Sequence, residues 1–213
     1  QSWLRWVNQF YVTPVLFCSF FRYYSKFNPM NSALESLEPK SVWSFFFELC
    51  QIPRASGKTQ ALQEWLLAFA KERGLEALRD ATGNVLIRKP AQKGRESSPS
   101  IVLQSHMDMV CEKNNDSSHN FDTDSIQPLI DGTWMKATGT TLGADNGIGM
   151  AAQLAVLDAS NIAHGPIECL FTVDEETGLY GAFGLQADFL HSTLLLNLDS
   201  EDEGELFIGC AGG

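Results

Sequence analysis

The sequence predicts an α/β fold, a sheet with helices on its faces, and three observations carry that expectation. Two stretches in the first half place apolar residues at helical spacing. Several short apolar runs of strand length follow, bounded by Gly, Pro, Asn or Ser. Strand-like and helix-like runs then alternate, the order expected of a sheet covered by helices.

The elements can be taken in turn. Residues 41–50 set Val42, Phe45, Phe46 and Leu49 on one helix face, and Gln51-Ile52-Pro53 ends that helix. Residues 58–73 repeat the spacing with Leu62, Trp65, Leu66 and Phe69, and Gly74 suits the left-handed position that follows a helix. Two strands are expected at 75–79 and 84–88, joined by a turn at Thr82-Gly83-Asn84. Residues 90–100 read as a polar surface loop. Ile101-Val102-Leu103 begins a strand that runs out at Gln104-Ser105-His106. Residues 111–133 read mostly as loop with turn signals. A helix is expected over 146–159 after a Gly-rich entry. Residues 167–173 read as a buried strand and 193–198 as another, and Gly204 then turns the chain into 205–208. There is no internal repeat and no low-complexity tract.

Composition narrows the function. The chain has 213 residues, with 15 Lys and Arg against 26 Asp and Glu, a formal charge of −11. Neither nucleic acid nor an anionic membrane suits that balance, because both need clustered cations. Five widely spaced cysteines with no Cys-x-x-Cys pair make neither a disulfide framework nor a thiolate zinc site. A reducing, cytoplasmic setting is the simplest expectation.

The start of the chain differs from the rest. Residues 1–29 hold three cations, no acidic residue and ten of the 23 aromatics. Their longest uncharged run, 6–21, is 16 residues and contains Pro14, too short for the roughly 20 residues that span a bilayer. No stable membrane association is expected. We read 1–29 as a leader outside the functional fold, and 30–213 as the part that folds.

Polar residues gather where the apolar strands end, which is where open α/β sheets bind ligands. Residues 101–103 lead to His106-Met107-Asp108. A Gly-rich loop leads to Asp145-Asn146-Gly147. Residues 167–173 lead to Asp174-Glu175-Glu176, and 193–198 to Asp199. Each has a plain explanation as a turn, a cap or a solvated loop. Four on successive elements, with an imidazole among them, suit a divalent metal better. In a strand, His106 and Asp108 would point to one side, so Asp108 could accept the second imidazole N–H. Glu175 and Glu176 are adjacent and would diverge, leaving one to bind metal and the other free as a base. Ser56-Gly57-Lys58-Thr59 looks like the end of a phosphate-binding loop, but position 52 is Ile where that motif needs Gly.

Four segments together are recognisable. They are 105–110 (Ser-His-Met-Asp-Met-Val), 139–147 (Gly-Thr-Thr-Leu-Gly-Ala-Asp-Asn-Gly), 175–178 (Glu-Glu-Thr-Gly) and 197–200 (Asn-Leu-Asp-Ser). The set resembles the co-catalytic dizinc exopeptidases related to carboxypeptidase G2. Lys113-Asn114-Asn115-Asp116 and Gly209-Cys210-Ala211-Gly212-Gly213 make it most similar to the aminoacyl-histidine (Xaa-His) dipeptidases, the bacterial carnosinase-like branch. The resemblance runs from about Met30 to Gly213.

It implies a three-layer αβα zinc-exopeptidase catalytic domain, incomplete in this chain. The implied cofactor is a pair of Zn2+ ions, with Co2+ or Mn2+ as alternatives. His106 and Asp199 would bind the first, Glu176 the second, and Asp145 both. Asp108 would orient His106, and Glu175 would be the general base. The bond between Asp145 and Asn146 would be cis. The implied reaction is hydrolysis of a dipeptide with C-terminal His, such as β-alanyl-histidine. Glu175 would take a proton from water and return it to the leaving amine. A further His ligand of the family, a lid or dimerisation domain and the C-terminal half have no counterpart here. His119, His164 and His191 match no ligand motif. The expectation is therefore an N-terminal fragment, inactive alone; the oligomeric state of the full-length protein stays open, with a homodimer as one reading. Two alternatives stand beside it. One is another di- or tripeptidase or acylamino-acid hydrolase of the same superfamily. The other is a non-catalytic binding module.

Overall fold

The computed structural model describes residues 36–200 and 204–209. The leader, 1–29, and residues 210–213 of the terminal Gly-Cys-Ala-Gly-Gly stretch lie outside the described residues.

Helix α1 (Lys40–Cys50) starts after Pro39 and buries Phe45, Phe46, Phe47, Leu49 and Cys50. Helix α2 (Gln60–Glu72) buries Leu62, Leu66, Phe69 and Ala70, and stops where Gly74 takes φ of 65°. Phe45 packs edge-on against Phe69, linking the two helices. Strands β1 (Glu76–Arg79) and β2 (Val85–Lys89) form the expected hairpin. Strand β3 (Ile101–His106) follows the polar loop. Strands β4 (Pro128–Asp131) and β5 (Trp134–Ala137) make a separate two-stranded sheet. Helix α3 (Ala144–Asp158), strand β6 (Ile167–Thr172), the short helix α4 (Tyr180–Gly184) and strand β7 (Leu194–Asn197) complete the order.

The main sheet runs β1-β2-β6-β3-β7. β1, β2 and β6 pair antiparallel, while β6, β3 and β7 are parallel. β6 is buried at all six positions, as a strand covered on both faces must be. One face carries the helices. Gln153 on α3 donates to the carbonyls of Leu103 and Leu170 and accepts from Ser105 Oγ. Lys89 Nζ donates to the last carbonyls of α3, those of Val156, Leu157 and Ala159. Leu185, Phe189 and Leu190 cover Leu86, Val102 and Leu170. Alternation along each strand puts these on the opposite face from Leu103 and Ser105. The α/β class read from the sequence is the fold observed.

Two elements depart from the sequence reading. The β4–β5 hairpin overlaps the end of the stretch read as loop. Its Asp131-Gly132-Thr133 turn, with Gly132 at φ 65°, is a two-residue hairpin connection. Helix α4 is five residues long, too short to show a helical period. Among the described residues no helix is long and apolar enough to cross a membrane.

Candidate metal centre

Three parallel strands bring most of the site to one edge. His106 is the last residue of β3 and pairs with Thr172 of β6, and Gln104 pairs with Asn197 of β7. The three strand exits therefore lie level, and the 174–176 loop and Asp199 emerge beside His106. Asp145 arrives from the entry of α3. There Gly143 is left-handed at φ 70°, Asp145 and Asn146 are not helical, and the bond between them is cis.

The six residues singled out in the sequence come together. His106 is essentially buried. Its Nε2 lies 2.9 Å from Asp145 Oδ1, 3.7 Å from Asp199 Oδ1 and 4.0 Å from Glu175 Oε2. Its Nδ1 faces Asp108, 3.1 Å from the backbone oxygen and 3.3 Å from Oδ1. β3 ends before Asp108, yet the side chain still meets the imidazole as the spacing suggested. Two overlapping groups share His106, one with Glu175 and Glu176 and the other with Asp145 and Asp199. Within each, ligand atoms lie no more than 4.8 Å apart. Glu175 and Glu176 do not diverge. They stand on a loop rather than a strand, after Asp174 at φ 52°, and both of their amides bond to Asp108. His119, His164 and His191 stay outside both groups.

Asp108 is the anchor of this arrangement. Its side chain is fully buried. Oδ1 accepts Glu175 N–H at 3.0 Å, and Oδ2 accepts Ser56 Oγ–H at 2.7 Å and Glu176 N–H at 3.3 Å. Burial works against its charge. The bonds from His106, Ser56 and the Glu175 amide outweigh it and bring the carboxyl down to about 2. Burial also works against the His106 imidazolium, but Asp108, Asp199 and Asp145 hold it up at about 9. Glu176 and Asp199 are raised, first by burial and then by neighbouring carboxylates such as Asp145 and Glu175. A cluster that crowds carboxylates around one imidazole is a cluster that favours a cation. Imidazole nitrogen and carboxylate oxygen are also the donors that zinc and its neighbours take. The residues present fit a divalent metal.

Several supporting residues escaped the sequence reading. Ser56 holds Asp108, and the Gly57 amide donates to Asp174 Oδ1 at 2.7 Å. Asn84 accepts the Val173 amide and donates to the Gly181 carbonyl, fixing the 174–176 loop from below. Arg54 is buried behind the site. Ser56 and Gly57 lay within the apparent phosphate loop that the sequence reading dropped. A polar Gln153 between Met150 and Leu154 on a helix's buried face was the other available signal.

Comparisons with known proteins place the chain among peptidases. Residues 102–208 match the model of peptidase family M20/M25/M40. The chain is 54% identical over 182 residues to a cytosol non-specific dipeptidase of Escherichia coli, covering 85% of this chain and 38% of that one. Among solved structures it superposes on an aminoacylhistidine dipeptidase from Vibrio alginolyticus with a TM-score of 0.81 at 53% identity. That match covers 83% of this chain and 36% of that one. A tripeptidase from Staphylococcus aureus matches with a TM-score of 0.64 at 26% identity, over 76% of this chain and 44% of that one. The chain thus spans well under half the length of these relatives.

Proposed function

Because the chain belongs to peptidase family M20/M25/M40, we propose that the complete polypeptide carrying it is a metal-dependent dipeptidase. The observation that carries this reading is the convergence of His106 with Asp145, Asp199, Glu175 and Glu176. His106 and Asp199 would hold one ion and Glu176 a second, with Asp145 serving both; zinc suits the donors, and cobalt or manganese would share them. Bound metal would supply a Lewis acid for the scissile carbonyl and would lower the pKa of water.

The remaining chemistry belongs to the chain. Asp108 keeps Nδ1 of His106 occupied as a donor, which leaves Nε2 facing the carboxylates, where a bound ion would replace its proton. Ser56 and two loop amides stop Asp108 from turning away. Glu175 is 30% exposed at its side chain, so it can meet both water and substrate. It would act as general base toward the attacking water and then as general acid toward the leaving amine. The names of the two dipeptidase relatives share the dipeptide and differ on the histidine. We therefore take a dipeptide as substrate, with β-alanyl-histidine as the first probe, and the cytosol as its setting.

The test is amino-acid release by the zinc-loaded complete polypeptide from a panel of Xaa-His dipeptides, other dipeptides, tripeptides and acylated amino acids. Glu175→Ala should lower turnover by about 10²–10⁴-fold while metal content stays unchanged. Hydrolysis of no dipeptide would sink the function, and wild-type turnover in Glu175→Ala would sink the role of that residue.

A further inference from the structure

Arg54 is 3% exposed and takes no part in the chemistry described above. A buried guanidinium is expensive unless its donors are satisfied. The hydrogen bonds it makes go to backbone carbonyls. Nη1 donates to the oxygens of Met107 and Asp108, each at 3.1 Å, and Nη2 donates to the oxygen of Gly143. Its own carbonyl accepts the Met109 amide at 3.2 Å. Met107 and Asp108 directly follow His106, and Gly143 lies two residues before Asp145. One rigid fork therefore spans the exit of β3 and the entry of α3. A lysine, with a single ammonium, does not present that planar fork.

The glycines of the α3 entry fit the same picture. A Cβ on Gly143 would stand 2.5 Å from Arg54 Nη2, and one on Gly147 would stand 2.8 Å from it. Both positions are kept bare where the guanidinium lies. The Gly-rich entry, noted in the sequence only as an approach to a helix, makes room for Arg54.

We propose that Arg54 is a positioning residue whose guanidinium locks the β3 exit to the α3 entry, so that His106 Nε2 and Asp145 Oδ1 face each other at 2.9 Å. The turnover part of the test rests on the function proposed above; the backbone part does not. Hydrogen exchange is compared, without metal, between the complete polypeptide and its Arg54→Lys and Arg54→Met variants. Two amides report on the lock: Gly147 N–H, bonded to Gly143 O at 3.1 Å, and Met109 N–H, bonded to Arg54 O. Both should exchange about tenfold faster or more, since bonds from a charged donor are lost. Amides of β2 and β6 should be unchanged. Gly147→Ala keeps Arg54 but crowds Nη2, and should loosen the same two amides even if the Arg54 variants fail to fold. In turnover of β-alanyl-histidine, Arg54→Lys should lower kcat by about 10–100-fold with KM within about twofold. Unchanged exchange at both reporter amides, a rise spread evenly over β2 and β6, or an unchanged kcat would overturn the proposal. A wild-type protein without dipeptidase turnover would strike the function instead, and the exchange comparison would still decide the role of Arg54.

Discussion

Strands β3 and β7 are parallel neighbours in register over four residues, and each delivers a group to the same cluster. They do so under different constraints. Val102 and Leu103 of β3 are buried between β6, the helices and the 185–190 segment. Their register partners on β7, Leu195 and Leu196, are 48% and 45% exposed. His106 is therefore set by close packing on both sides of its strand. Asp199 is set by hydrogen bonds, its own amide bonded to Asn197 Oδ1 and the Leu198 amide bonded across to Gln104 O on β3. Within these described residues, one member of the cluster is fixed by the core and another by hydrogen bonds to Asn197 and to the β3 backbone.

The largest test of this contrast is a matched pair of truncations. Leu103→Ala should cost about 2–5 kcal/mol of unfolding free energy in denaturant titration. Leu196→Ala, directly across the ladder and tested in this same 213-residue chain, should cost about 0.5 kcal/mol or less. Equal losses would erase the distinction between the strands.

The next test concerns the tie between them. Glu168 on buried β6 accepts the amides of His191 and Ser192, just before β7, and pairs with Arg88. Burial works against its charge, but Arg88 and those amides hold its carboxyl below the usual 4.5. A depressed folded pKa means stability that is present above pH 4.5 and lost as the pH falls through the folded value. Glu168→Gln should therefore cost about 2 kcal/mol at pH 7. Its deficit against wild type should shrink below pH 4.5, read from unfolding curves across pH 3–7. A deficit that grew on acidification would show the opposite sign.

The last test concerns metal affinity. Asp108→Asn, beside the β3 exit, should weaken binding about 10–100-fold in a chelator competition. Asn197→Ala, the local support of Asp199, should change it by less than about threefold, as befits an exposed side chain. A reversal of that order would mean that β7, not β3, sets the site.

Much of this was legible because the elements that matter are long or strongly patterned. Helices α1 to α3 and strands β2, β3, β6 and β7 fall within a few residues of where apolar spacing put them. His106, Glu175, Glu176 and Asp199 were singled out because they follow apolar runs, and Asp145 because it follows a Gly-rich loop. Asp108 was found because it sits two residues from the histidine. The supports were not legible for a physical reason. Arg54 and Asn84 act across 53 to 97 residues of sequence through backbone carbonyls and amides, which carry no side-chain signature, and Ser56 reaches the Asp108 carboxylate across 52 residues, beyond any local spacing pattern. The divergence expected of Glu175 and Glu176 rested only on their adjacency in sequence. A left-handed Asp174 and two amides drawn to one carboxylate bend the loop instead.

The saturation of Asp108 has a consequence for anyone who would redesign this protein. A single carboxylate orients the imidazole and also pins the amides of both glutamates. The ligand and the base are therefore not independent parameters. A change that retunes His106 through Asp108 will shift Glu175 as well. Adjusting the base alone would have to start from the far side of its loop, where the Gly57 amide meets Asp174.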